Sequence, residues 1–99
     1  MKAMRLGDFL DILRRHWGVQ TVDKFDWNSD EPFRIFGPPT DANPRGGSIR
    51  LTNRSDDELI TVEEMLMVFA HLGIVASLFW KIVESKQLEQ PRGRRAEGR

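Results

Sequence analysis

The chain has 99 residues and a mass of 11.5 kDa, which fits one domain and leaves no room for a second. Hydrophobic residues make up 39% and charged residues 30%, which excludes a low-complexity chain, and the formal net charge of zero does not favour binding to duplex DNA. No cysteine is present, which excludes disulfides, thiolate nucleophiles and cysteine-containing zinc sites. Residues 1–14 lack the continuous apolar run of a secretory signal, and we expect a cytoplasmic protein.

The first predicted element is a helix from Asp8 to Trp17. Its apolar residues recur at helical spacing and share one face: Leu6, Phe9, Leu10, Leu13 and Trp17. Asp8 is placed to cap the N-terminus of this helix, and Gly18 follows as the glycine that ends it.

Three strands are predicted after this helix. Branched and aromatic residues indicate strands from Val19 to Trp27 and from Phe33 to Phe36, and alternating side chains predict a third from Ser48 to Asn53. The stretch Gly37 to Gly47 contains three prolines and three glycines, and it forms a long hairpin loop in this interpretation. The pattern predicts an antiparallel meander with one solvent-exposed face.

The clearest helix signal begins at Thr61. Thr61 and Glu64 match the capping box, and Ile60 with Met65 matches the hydrophobic staple. The predicted core stripe of this helix consists of Val62, Met65, Leu66, Phe69 and Leu72.

Gly73 is predicted to end or bend this helix, and a second helical stretch runs from Val75 to about Ser85. Its predicted core stripe consists of Val75, Leu78, Phe79 and Ile82. Together the elements predict a single α+β domain over residues 1–88, ordered α-β-β-β-α with an extra C-terminal helix, in which a three-stranded antiparallel sheet packs on helices. Residues 89–99 are predicted to be a disordered basic tail.

The sequence contains no motif that identifies a reaction. His16 and His71 each lie in the last turn of a predicted helix, where a cationic side chain is stabilised without any catalytic role. The acidic residues match no calcium-loop spacing, and Asn53, Arg54 and Ser55 fit a glycosylation triplet that occurs often by chance. We therefore predict no catalytic residue, no metal site and no cofactor.

Basic and aromatic residues on the predicted sheet indicate one candidate binding site. Arginine and aromatic side chains on a sheet hold single-stranded RNA by charge and stacking. The alternative is an ordinary solvated sheet face. The candidate RNA-binding residues are Arg34, Phe36, Arg45, Arg50 and Arg54.

Apolar residues beyond the core stripes of the two C-terminal helices indicate a second candidate site, an interface for a protein partner or a second copy of the chain. The candidate interface residues are Met67, Val68, Phe79 and Trp80. A partner protein is slightly favoured over RNA on this basis. Because the sixteen residues 65–80 contain no Asp, Glu, Lys or Arg, a membrane anchor through residues 65–83 is a third possibility.

Three segments resemble the small HicA toxins, which have a double-stranded-RNA-binding-like fold. They are FLDILRRHWG at residues 9–18, FRIFGPP at residues 33–39 and ELITVEEMLMVFAHLGIVASLF at residues 58–79. The resemblance implies an mRNA-cleaving relative from a toxin–antitoxin module. The family places a catalytic histidine at the start of the second strand, where this chain reads SDEPF at residues 29–33, so the resemblance carries over the fold and no catalytic residue.

Overall fold

The computed structural model describes residues 2–41 and 44–85, so the predicted tail at 89–99 lies outside the described residues. The described chain contains three helices and two antiparallel sheets. In chain order, the elements are β1 (Met4–Arg5), α1 (Leu6–Trp17), β2 (Gln20–Val22), β3 (Pro32–Gly37), β4 (Gly47–Thr52), β5 (Leu59–Ile60), α2 (Val62–Leu72) and α3 (76–85). The predicted α+β class with a three-stranded antiparallel sheet is confirmed.

Helix α1 begins at Leu6, two residues before the predicted start, because β1 leads directly into it. Arg5 occupies the N-cap position and makes no capping side-chain hydrogen bond, so the prediction that Asp8 caps the helix is wrong. Gly18 ends the helix in the left-handed conformation, with a φ of 66°, as predicted.

The start of α1 is fixed by backbone contacts with the loop before β5. The N–H of Leu6 donates to the carbonyl oxygen of Glu58 at 2.8 Å, and the N–H of Gly7 donates to that of Asp56 at 3.0 Å. A Cβ atom at position 7 would lie 2.8 Å from the Cβ of Asp56, so the close approach requires glycine. These partners lie far away along the chain, and no local pattern reveals them.

Strand β3 is central in the sheet order β2-β3-β4, and β3 and β4 agree with the predicted strands to within one residue at each end. Strand β2 is much shorter than predicted. Asp23 has a left-handed φ of 62° and turns the chain away from the sheet, while Pro32 has no N–H with which to extend the ladder. Phe25 and Trp27 therefore lie in the following loop, where their rings stack with centroids 4.7 Å apart.

The start of α2 is the predicted capping box. The N–H of Glu64 donates to Thr61 Oγ1 at 3.1 Å, and the N–H of Thr61 donates to Glu64 Oε1 at 3.0 Å. Ile60 and Met65, the predicted staple, are both fully buried. This local signal is confirmed in full because both of its partners lie within one helical turn.

The core stripes of the last two helices differ from the predicted ones. Val68 takes the buried position in α2 that Leu66 was predicted to hold, and Leu66 is exposed. After Gly73, with a φ of 72°, Ile74 is buried and donates its N–H to the carbonyl oxygen of Phe69 at 2.9 Å. Because of this turn, α3 directs other residues toward the core than the helical spacing in the sequence predicts. The residues predicted as core and found exposed are Leu66, Val75 and Leu78.

One apolar cluster joins α1, the inner face of the sheet, α2 and α3. Phe9, Phe69 and Phe79 contact one another inside it, with ring centroids 5.0 to 5.9 Å apart. Trp17 stacks against Phe79 at 6.2 Å from the end of α1. The helices thus cover the inner face of the sheet, and the described residues leave its outer face uncovered.

Candidate interaction surfaces

The outer face of the three-stranded sheet carries two arginines side by side. Arg34 on β3 is the cross-strand partner of Arg50 on β4. The N–H of Asn53 donates to the carbonyl oxygen of Glu31 at 3.3 Å, and this bond continues the same register. Because bonded and non-bonded pairs alternate, Arg34 and Arg50 form a non-hydrogen-bonded pair, the type in which Cα atoms lie closest, about 4.5 Å apart. Like charges at such a pair destabilise a sheet.

Neither of these two guanidinium groups has a hydrogen bond or an ion pair with the described part of the chain, and both arginines are exposed. The same side of the sheet carries the outward residues of β2, β3 and β4. We call it the arginine face, and it consists of Gln20, Val22, Pro32, Arg34, Phe36, Ser48, Arg50 and Thr52.

A depression of about 420 Å³ lies beside the two arginines. Its lining adds two carboxylates and an aromatic ring to the end of the arginine face. The lining residues are Val22, Asp23, Phe25, Glu31, Pro32, Arg34 and Arg50. The charge in this region is therefore mixed, with carboxylates on the loop side and guanidinium groups on the sheet.

The structure brings together three of the five predicted RNA-binding residues. Phe36 shares the arginine face with Arg34 and Arg50 and is half-buried. Arg45 is exposed in the loop before β4, beyond the end of the strands. Arg54 does not belong to this face, because its side chain is held against α2.

Arg54 is bound on the side of the molecule where the chain leads into α2. Its Nη1 and Nη2 donate to Glu64 Oε1 at 2.9 Å and Oε2 at 2.8 Å, and Nη1 also donates to the carbonyl oxygen of Leu59 at 3.2 Å. The Nε atom donates to the carbonyl oxygen of Thr52 at 3.4 Å. With these acceptors the guanidinium of Arg54 is bound within the fold, so the structure does not group it with Arg34 and Arg50.

The carboxylate of Glu64 serves both the ion pair and the capping box. Its hydrogen bond from Arg54 lowers the pKa of Glu64 below its ordinary value, against the opposing effect of partial burial, and the bonds from Thr61 lower it further. The same hydrogen bond raises the pKa of Arg54. The three side chains thus join the loop after β4 to the first turn of α2.

Asn53 is a residue that the sequence analysis did not identify as structural. It is 1% exposed, so it is not a glycosylation acceptor in the folded protein. Its Oδ1 accepts from the N–H of Phe25 at 2.8 Å, and its Nδ2 donates to the carbonyl oxygens of Asp23 and Glu31, both at 3.1 Å. The sequence contains a signal for this structural role. Ile49 and Leu51 point inward, and the same alternation continued to position 53 places a polar side chain on the inner side of the sheet.

Lys24 ties the same loop to the segment after β4. Its Nζ donates to the carbonyl oxygens of Phe25 at 2.6 Å and Arg54 at 2.9 Å, and lies 3.1 Å from Asp56 Oδ1. The ammonium also lies 5.5 Å from the ring centroid of Phe33. Together with Asn53, this lysine fixes the loop that forms one wall of the depression.

The two C-terminal helices expose four large aliphatic side chains that the core does not use. Leu66 and Met67 are neighbours on α2. Val75 immediately precedes α3, and Leu78 lies in its first turn and donates its N–H to the carbonyl oxygen of Val75. Their exposed fractions are 44%, 51%, 55% and 49%. We call these four residues the aliphatic surface.

The residues predicted as an interface divide between the core and this surface. Val68 and Phe79 are fully buried and belong to the core, whereas Met67 belongs to the aliphatic surface. Trp80 is half-buried, meets Phe79 edge-on at 5.4 Å, and has a buried Nε1 without an acceptor in the described part of the chain. Val68, Phe79 and Trp80 therefore pack mainly inward, and the aliphatic surface consists of Met67 together with three residues predicted as core, Leu66, Val75 and Leu78.

The histidines have local contacts in the structure. Nδ1 of His71 lies 2.9 Å from the carbonyl oxygen of Met67 in α2, and the ring of His16 meets that of Trp17 with centroids 6.2 Å apart. Within residues 2–41 and 44–85, no group of three or more histidine and acidic side chains is arranged to hold a metal ion. In the same residues, no helix has the length and hydropathy needed to cross a membrane, and the apolar run beginning at position 65 is divided between α2 and α3.

Comparison of the chain with known protein families, curated proteins and solved structures found no match in any of the three. The two surfaces are therefore interpreted from their own geometry.

Proposed function

We propose that this protein is a non-enzymatic domain that binds another protein through the aliphatic surface. The observation that carries the proposal is the exposure of Leu66, Met67, Val75 and Leu78 on two consecutive helices whose opposite sides already supply the core. The free energy falls when a partner covers apolar side chains that a small domain exposes to water. We place this association in the cytoplasm, because a fold without cysteine does not depend on an oxidising compartment.

The test compares two exposed apolar sites of the same protein. We expect the double substitution Met67→Glu and Leu78→Glu to weaken self-association, or binding of a co-purifying protein, by about tenfold or more. The control is Leu59→Glu, because Leu59 is 58% exposed on β5 and lies outside the aliphatic surface. Sedimentation of the full chain at increasing concentration measures self-association, and co-purification measures binding of another protein.

The proposal fails if the wild-type chain stays monomeric and the double variant retains the same co-purifying proteins. A variant that no longer folds is recognised by its circular dichroism spectrum. In that case Met67→Ser replaces it, since this smaller change removes the apolar contact without adding a charge.

Single-stranded RNA is the second candidate ligand, and the unpartnered pair Arg34 and Arg50 favours it. Phe36 beside the pair supplies an aromatic ring, whereas Asp23 and Glu31 in the adjoining depression repel phosphate. RNA cleavage is not part of this proposal, because no histidine stands where the HicA toxins have one.

The RNA candidate predicts that Arg34→Ser with Arg50→Ser weakens binding of a uridine oligonucleotide and flattens its salt dependence. Arg15→Ser with Lys81→Ser is the matched control, because it removes the same charge from exposed positions on α1 and α3, away from the sheet. Equal effects of the two pairs would show non-specific attraction and reject the arginine face as an RNA site.

A further inference from the structure

The outer edge of β4 is an unpaired strand edge. The N–H and C=O groups of successive residues in a strand point alternately to its two edges. Because the N–H of Asn53 bonds to the residue before β3, the backbone groups of Ile49 and Leu51 also point toward β3. Those of Ser48, Arg50 and Thr52 point away from it. In the described residues, no group accepts from the N–H of these three outward residues. Of their carbonyl oxygens, that of Thr52 accepts from the side chain of Arg54.

The opposite edge of the sheet is closed to such pairing. Strand β2 has three residues, of which only Thr21 directs its backbone outward, and Arg14 Nη2 donates to Thr21 Oγ1 at 3.0 Å across that edge. Strand β4 has six residues, enough to hold an added strand by several main-chain hydrogen bonds. Of the two edges, β4 is the one that offers a docking site.

We propose that an extended peptide segment with alternating acidic and apolar residues adds to β4 as an antiparallel strand. A residue opposite Arg50 in the added strand places its side chain on the arginine face, where a carboxylate would meet a guanidinium that has no partner in the described chain. Such a carboxylate would also offset the repulsion between Arg50 and Arg34. Ser48 and Thr52 flank this position with small hydroxyl side chains that leave room for further carboxylates.

The inner side of the same edge requires apolar residues. Ile49 and Leu51 are buried but keep 8% and 7% exposure, whereas Phe33 and Ile35 on the central strand keep none. Residues of the added strand that alternate with the acidic ones would lie next to Ile49 and Leu51 and cover them. The preferred sequence is therefore apolar, acidic, apolar, with the acidic residue opposite Arg50.

A second copy of this chain is a poorer occupant of the edge. In every antiparallel register, pairing of β4 with another β4 brings a second Arg34 and Arg50 to the same face, which increases the repulsion already present. The proposed site lies on a different element from the aliphatic surface and does not depend on it, so either can fail without the other.

The test uses a fluorescein-labelled peptide, Ser-Val-Glu-Val-Glu-Val-Ser, with the full-length chain. We expect fluorescence anisotropy to show binding that Arg50→Glu weakens about tenfold or more, while the same variant gains affinity for the matched peptide with lysine at both glutamate positions. Arg50→Glu places a carboxylate opposite Arg34 and is expected to fold. Lys81→Glu on α3 is the control for the change in net charge.

Methylated peptides test the backbone contacts without altering the protein. N-methylation of the glutamates removes the N–H groups that face β4 and should abolish binding, whereas N-methylation of the valines should leave it. Bound peptide should also slow hydrogen exchange at the amides of Ser48, Arg50 and Thr52. No binding at about 1 mM peptide, equal effects of the two methylations, or protection of these amides by RNA or by chain concentration alone would overturn the proposal.

Discussion

Arg50 and Arg54 lie four residues apart and have opposite environments. The guanidinium of Arg54 makes hydrogen bonds to Glu64 and to two backbone carbonyl groups, whereas that of Arg50 makes none with the described residues and lies beside a second arginine. Arg54 follows the end of β4, where the chain turns toward α2, and Arg50 is an outward position inside the strand. Backbone position, and not residue type, therefore decides which arginine is structural and which is available to a ligand.

The same contrast separates two sides of the molecule. On one side, Asn53, Lys24 and Arg54 fix loops through hydrogen bonds to backbone carbonyl groups. On the other side, the arginine face and the edge of β4 keep side-chain and main-chain donors without acceptors in the described chain. Substitutions on the first side should therefore change the free energy of unfolding, and substitutions on the second should change binding.

The largest expected effect is at Asn53. Asn53→Ala should lower the free energy of unfolding by about 3 kcal/mol, because it removes three hydrogen bonds from a fully buried side chain to partly buried backbone groups of the loop. Urea denaturation measures the change, and Asn28→Ala in the exposed loop serves as the control. A loss below about 0.5 kcal/mol would show that the loop does not depend on Asn53.

The start of α2 is a second place to test the side of the molecule that Asn53, Lys24 and Arg54 fix by hydrogen bonds. Glu64→Ala should lower the free energy of unfolding by about 2 kcal/mol, because one carboxylate serves both Arg54 and the capping box. Thr61→Ala alone should remove about 1 kcal/mol, and the double substitution should remove less than the sum. Denaturation of all three variants provides the comparison, and strict additivity would contradict a shared network.

Acid should weaken the same network. Pairing lowers the pKa of Glu64 in the folded protein, so its contribution is fully present above the ordinary value of 4.5 and is lost as the pH falls through the lower folded pKa. The difference in urea midpoint between the wild-type protein and Glu64→Gln should therefore shrink as the pH falls from about 6 to about 3. A difference that stays constant over this range would show that the ion pair does not titrate as described.

Except for the cap assigned to Asp8, the local helix signals were predicted correctly, whereas contacts between distant segments were not. The capping box and the glycines at positions 18 and 73 depend on neighbours within a turn, and all were predicted. Strands β1 and β5 have two residues each, too few for alternation to show, and they pair across more than fifty residues of chain. The ion pair of Arg54 likewise depends on how the loop after β4 meets α2, which no spacing in the sequence encodes.

The aliphatic surface was likewise predicted only in part. Residues 65–80 contain more apolar side chains than one core stripe holds, and this excess was predicted from the sequence. Of the four residues of the aliphatic surface, Met67 alone was predicted to lie outside the core. The positions on α3 were missed because the turn at Gly73 buries Ile74 and rotates α3. A rotation of one residue, about 100° around a helix, exchanges core and surface positions.

Urea denaturation of Arg50→Ser and Arg54→Ser in the same experiment separates the two arginines most directly. Arg54→Ser should lower the free energy of unfolding by about 1–2 kcal/mol, because in a partly exposed site it removes the donor to Glu64 Oε2 and the hydrogen bonds from Arg54 to two backbone carbonyl groups. Arg50→Ser should leave it unchanged or raise it by about 0.5 kcal/mol, because it removes a repulsion and no hydrogen bond. Equal losses in the two variants would contradict the distinction between a structural arginine and an available one.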